Sequence, residues 1–133
     1  MIEIKAREKV VERALLVGAF TGETTEEDAE DLLEELADLV NTLGIPIVGK
    51  VLARHREPHP RYLVGTGKAE EIRERAAALE CDVLIFDNEL TPAQQKNWET
   101  LAGVTVIDRR EVIIDIFAER ALTREATIQV ELA

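Results

Sequence analysis

Residues 82–111 read DVLIFDNELTPAQQKNWETLAGVTVIDRRE, and this stretch decides the fold. Asp82 to Asp87 is a short apolar run of the kind that fills a strand buried on both faces. Thr91-Pro92-Ala93-Gln94 then places a hydroxyl at a helix N-cap, proline at the first helical position and glutamine three residues after the cap. Trp98, Leu101 and Ala102 face inward on that helix, and Gly103 closes it. Val104 to Ile107 is a second short strand ended by Asp108, and Asp108 with Glu111 repeats the capping-box spacing. Val112, Ile113, Ile116, Phe117 and Ala121 supply the apolar face of the next helix.

The same alternation extends toward the amino terminus. Glu12 to Phe20 (ERALLVGAF) is a nearly continuous apolar run. Thr24 and Thr25 precede a helix whose stripe is Ala29, Leu32, Leu33, Leu36, Val40 and Leu43, with Gly44 placed to end it. Ile45 to Ala53 is another strand, with Pro46 at its start, where a missing N–H is tolerated. Residues 54–67 (RHREPHPRYLVGTG) form a long irregular connection, and Gly67 to Leu79 resumes helical spacing with Ile72, Ala76 and Leu79 inward. Residues 123–133 (TREATIQVELA) follow, where Ile128, Val130 and Leu132 fit helix or strand equally. Four strands alternating with helices predict an α/β fold: a small open four-stranded parallel sheet with helices on both faces. Right-handed crossovers suggest the order 2-1-3-4, and ligands in such folds sit beyond the carboxyl ends of the strands at the reversal.

Composition narrows the function classes. The chain has 133 residues, 46% hydrophobic and 32% charged, which suits one soluble domain. No apolar run approaches the roughly 20 residues of a membrane span, and the charged start MIEIKAREK lacks a signal-peptide core, so the cytoplasm is expected, with no membrane insertion. One cysteine, Cys81, excludes an intramolecular disulfide and is read as a buried, inert thiol. The chain contains no serine, so a Ser-His-Asp site is excluded. The net charge of −11 opposes nucleic-acid binding at first sight. Nine of the acids fall within residues 23–38, as the solvated face of one helix, and the rest of the chain is only −2. Residues 50–75 carry seven bases against four acids.

Several residues could carry chemistry. Gly65-Thr66-Gly67-Lys68 looks like an anion-cradling loop at a helix start. It fails as a P-loop, because Tyr62 stands where the first glycine belongs and Ala69 follows Lys68 where a hydroxyl should hold magnesium. Arg54, Arg56, Arg61, Gly65, Gly67, Lys68 and Arg109 are candidates for a nucleotide, another anion or an RNA backbone. With 4% aromatic residues, base stacking is a poor option, so RNA contact would be to backbone and shape. Asp87, Asn88, Glu89 and Asp108 lie at predicted strand ends, where carboxylates either assemble a site or cap the following helices. His55 and His59 sit in a proline-containing loop and read as surface residues, so no metal site is expected. No catalytic centre emerges.

Three blocks together resemble the amino-terminal domain of the HflX family of ribosome-associated GTPases. They are residues 58–72 (PHPRYLVGTGKAEEI), 85–99 (IFDNELTPAQQKNWE), and 106–133, from VIDRR through IDIFAERA to QVELA. The resemblance implies an α/β domain over residues 1–121 and, from 122 to 133, the start of a longer helical segment. It implies a parent protein that continues into a helical hairpin and a G domain binding GTP and magnesium, with no cofactor in this chain itself. It further implies partners in the large ribosomal subunit and its RNA, in ribosome splitting or rescue. A role for adenine nucleotides (ATP or ADP) at Gly65–Lys68 is the alternative, and docking on the G domain through the apolar face of 112–132 is a third reading.

Overall fold

The structure, a computed structural model, describes residues 13–132, with side chains for residues 13–122. The expected start of the first strand at Glu12 lies outside the described residues. The elements are β1 (Ala14–Phe20), α1 (Glu26–Thr42), β2 (Ile47–Arg54), α2 (Thr66–Ala78), β3 (Val83–Phe86), α3 (Pro92–Ala102), β4 (Thr105–Asp108) and α4 (Arg109–Leu132). The sheet is parallel throughout, in the order β2-β1-β3-β4. This is the order that crossover geometry suggested.

Every residue of β1 is buried, because helices cover both faces of the sheet. Leu15, Val17 and Ala19 pack with Ile72 and Ala76 of α2 and Trp98 of α3. Ala14 and Leu16 point the other way, against Leu33, Leu36 and Val40 of α1 and Val112 and Ile116 of α4. Alternation along one strand thus serves two cores, which is why the run reads as continuous in the sequence.

Local signals act where the sequence puts them. Thr25 caps α1, its hydroxyl accepting from the Asp28 N–H at 3.0 Å. The Thr91/Gln94 capping box opens α3 with both reciprocal bonds present. Gly103 closes α3 at φ 72°. Helix α2 ends without a glycine: Glu80 takes φ 56° while its N–H reaches the Ala77 carbonyl and the Cys81 N–H reaches Ala76. This is a Schellman end with the wrong residue type at its left-handed position.

Two expectations need correction. Leu32 is 43% exposed, at the margin of the α1 stripe rather than within it. Phe117 is 63% exposed, and Ala121 is exposed too. The cause is length: α4 has 24 residues, about 36 Å, and runs past a sheet whose outer strand β4 has only four. The ambiguous segment after Thr123 is helical to Leu132.

The two left-handed positions give opposite expectations. Gly103→Ala has open space for its Cβ yet pays the φ penalty, costing about 1 kcal/mol. Glu80→Gly removes a similar penalty and should gain about 0.5–1 kcal/mol. Urea denaturation of both variants checks the signs.

Candidate functional site

The connection between β2 and α2 is not a free loop. Its residues 59–63 close on themselves: the His59 N–H donates to the Leu63 carbonyl at 3.0 Å and the Leu63 N–H to the His59 carbonyl at 2.9 Å. Leu63 reaches this closure at φ 72°, uncommon for a branched residue, with its side chain buried. Helix α3 then holds the strap by its carbonyls. Gln94 Nε2 donates to the His59 oxygen at 3.1 Å, Asn97 Nδ2 to Arg61 at 3.1 Å and Trp98 Nε1 to Tyr62 at 2.9 Å. The Trp98 ring is fully buried, with the Tyr62 ring edge-on at 5.4 Å and the Phe86 ring at 5.1 Å. Gln94 also completes the α3 capping box, so one side chain serves the helix end and the strap.

The outcome is a rigid turn that presents His59, Pro60 and Arg61 to solvent. Arg61 lies over the Tyr62 ring at 5.3 Å and, like Arg54 and Arg56, carries no ion pair with any described residue. The sequence reading missed this role of Gln94, Asn97 and Trp98. Their spacing of three and four places all three donors on one side of α3, which is the signal that could have shown it.

The glycine loop is the start of α2. Gly65 is its N-cap, and Lys68 turns along its own helix to Glu71 at 3.1 Å. Neither glycine has a positive φ, and a Cβ on Gly67 would meet nothing within 4 Å. The fold itself therefore does not require Gly67.

At the carboxyl ends of β3 and β4 the polar residues are engaged with one another. The Asn88 amide copies a strand: its oxygen accepts from the Ala19 N–H at 2.9 Å and its nitrogen donates to the Ala19 carbonyl at 2.8 Å, extending β3 along β1. Asp87 binds Arg109 at 2.6 Å, and Arg109 also donates to the Leu32 carbonyl at 3.0 Å, tying α1 to β3. Asp108, buried, accepts from the N–H groups of Leu90 and Arg110, at 3.0 and 3.1 Å, and from the Arg110 guanidinium at 2.9 Å. The Asp108 hydrogen bond and charge hold the Arg110 guanidinium above its ordinary range, so it stays charged. Glu89 meets Arg110 at 3.8 Å on the surface. The candidate residues therefore form separate groups: Arg54 at the end of β2 with Arg56 just beyond it, Arg61 on the strap, Gly65–Lys68 at α2, and the β3–β4 cluster.

His55 is half-buried rather than fully at the surface. Its backbone N–H continues the β1 pairing, donating to the Phe20 carbonyl at 2.9 Å. Its Nδ1 is buried without a hydrogen-bond partner among the described residues.

The described residues form a parallel α/β domain with a pinned strap between β2 and α2. Residues 30–118 match the family described as GTP-binding GTPase N-terminal. The whole chain is 50% identical to a GTPase HflX of Akkermansia muciniphila, covering 30% of that protein. Over 92% of its length it is 44% identical to GTPase HflX of Escherichia coli, covering 28%. The chain thus spans about a third of the length of these relatives. A crystal structure of an SsGBP variant superposes with TM-score 0.61 over 91% of this chain and 36% of the other, at 21% identity, a likeness of fold. The chain belongs to the GTP-binding GTPase N-terminal family, the amino-terminal domain of HflX proteins.

Two outcomes check the packing. Trp98→Phe leaves the Tyr62 carbonyl without its donor and a gap beside Phe86, and should cost about 2–4 kcal/mol in urea denaturation while exposing the strap to proteolysis. Burial pushes the Cys81 thiol up, so between its ordinary value and the raised one the unfolded chain has lost a proton that the folded chain keeps. Stability should therefore fall as pH rises above about 9, and Cys81→Ala should flatten that part of the profile.

Proposed function

We propose that this domain is the non-catalytic, contact-making part of a GTP-binding HflX protein, touching large-subunit ribosomal RNA through the pinned strap and modulating a G domain. The observation that carries the reading is Arg61: exposed, free of carboxylate partners and fixed through its own carbonyl by Asn97. With its backbone fixed and its guanidinium over the Tyr62 ring at 5.3 Å, Arg61 is placed to meet a phosphodiester. The acids of residues 23–38 lie largely along α1, on a different element from the strap. Backbone contact suits a surface whose two strap-side aromatics, Tyr62 and Trp98, are both buried and cannot stack on bases.

In this reading residues 1–121 are the domain proper and 122–133 begin the helical connection. GTP and magnesium belong to the G domain of the longer protein, and the setting is the cytoplasm. Ile114, Phe117 and Leu122, exposed along α4, supply the apolar surface toward the rest of that protein. The adenine-nucleotide alternative at Gly65–Lys68 has less support, since Lys68 is paired with Glu71.

Co-sedimentation of the chain with large ribosomal subunits across a salt series tests the reading. Binding should weaken steeply with salt, and Arg61→Ala should lower it several-fold and reduce the log–log slope by about one. Absence of binding at low salt, while a full-length HflX protein binds, would contradict the direct contact.

A further inference from the structure

The two edges of the sheet are unlike. β4 has four residues and runs straight into α4, whereas β2 has eight and lies outermost, beside β1 alone. Backbone groups alternate in direction along a strand, and the His55 N–H donates inward to the Phe20 carbonyl. The N–H and carbonyl groups of Lys50, Leu52 and Arg54 therefore face outward, and no strand among the described residues pairs with them. The usual protections of an edge are weak here. Pro46 precedes the strand, and the register irregularity lies at its start, between Ile47 and Gly49. Lys50, at mid-strand, turns its ammonium to Glu34 of α1 at 2.7 Å and so does not guard the edge.

On the α1 side of this edge runs a groove of about 390 Å³, lined by Glu30, Asp31, Leu33, Glu34, Lys50 and Leu52. Leu33 and Leu52 are its apolar floor. Glu30 and Asp31 are exposed and carry no ion pair with any described residue. Charge and backbone together select the occupant. An extended segment completes the hydrogen bonds of Lys50, Leu52 and Arg54, and every second side chain of it falls on the α1 face. Opposite Glu30, Asp31 and Glu34 those side chains are lysine or arginine. A second copy of this chain is opposed by the same acids: antiparallel pairing of two β2 edges sets both α1 helices on one face of the joined sheet, and α1 carries acids without a single base. A nucleic acid meets the same repulsion and has no strand to add.

We propose that the outer edge of β2 takes up an extended basic segment of another protein by strand addition, with lysine or arginine at every second residue set on the acids of α1. The backbone of β2 supplies the affinity, and the groove beside Leu33 and Leu52 supplies the preference for basic side chains. The surface lies on β2 and α1, apart from the strap, and the inference does not rest on contact with RNA.

NMR and calorimetric titration of the 133-residue chain with a peptide of four lysine-valine repeats, as long as β2, tests it. Binding should be saturable at low salt, and the amide protons of Lys50, Leu52 and Arg54 should shift and gain protection from exchange. Two controls of equal charge should bind at least about tenfold more weakly: a peptide of four lysines followed by four valines, which loses the alternation, and the alternating peptide N-methylated throughout, which cannot donate to the strand. Glu30→Gln combined with Asp31→Asn, at exposed and unpaired positions, should weaken the alternating peptide about fivefold without altering the fold. Absence of saturable binding, controls that bind as tightly as the alternating peptide, amide shifts confined to residues away from β2, or affinity unchanged in the double variant would overturn the proposal. So would dimerisation of the free chain with the same three amides protected, which would assign the edge to a second copy.

Discussion

The hydrogen bonds from one side of α3 to the carbonyls of His59, Arg61 and Tyr62 are the constraint on which the rest of this structure depends. A connection from strand to helix of this length would otherwise leave its backbone polar groups to water and its conformation undefined. Here a buried indole N–H and two side-chain amides turn it into part of the core. Tyr62, Leu63 and Val64 can then be buried beneath Trp98, and the arginine between the bonded carbonyls is left outside. Stability and surface presentation come from the same contacts.

The arrangement also explains why two separate sequence blocks occur together. The segment PHPRYLVGTGK contributes carbonyls and buried side chains, and LTPAQQKNW contributes the donors that hold them. Pro92 and the Thr91/Gln94 box fix where α3 begins, and so fix the height at which Gln94, Asn97 and Trp98 meet the strap. At the far side of β1, Asn88 performs an analogous task with a single amide, and Arg109 ties α1 to the end of β3. Polar side chains at the carboxyl end of this sheet are mostly fasteners. Among the described residues the exceptions include Arg54 and Arg56 at and just beyond the end of β2, the arginine on the strap and the unsatisfied nitrogen of His55.

Much of the fold was legible because it rests on periodicity and capping, which are local. The apolar run of β1, the stripe of α1 and the cap of α3 each state their structure within a dozen residues, and the strand order follows from crossover geometry. The exposure of Phe117 was not legible, because it depends on where the sheet ends rather than on the helix pattern. Strand-end carboxylates showed as candidates, but the choice between site and fastener lay with partners far along the chain: Asp108 with Leu90, Asp87 with Arg109. The strap was legible only as an irregular stretch, since its order comes from donors 35 and 36 residues away. His55 was read incompletely for the same reason: spacing does not show that its backbone joins the sheet.

Native-state hydrogen exchange at the amides of His59 and Leu63, compared with those of α3, tests the central claim most directly. If the strap and α3 form one cooperative unit, these two amides exchange only with the opening that releases the α3 amides, at the same free energy. Exchange of His59 and Leu63 at rates typical of an open loop, with α3 still protected, would contradict it.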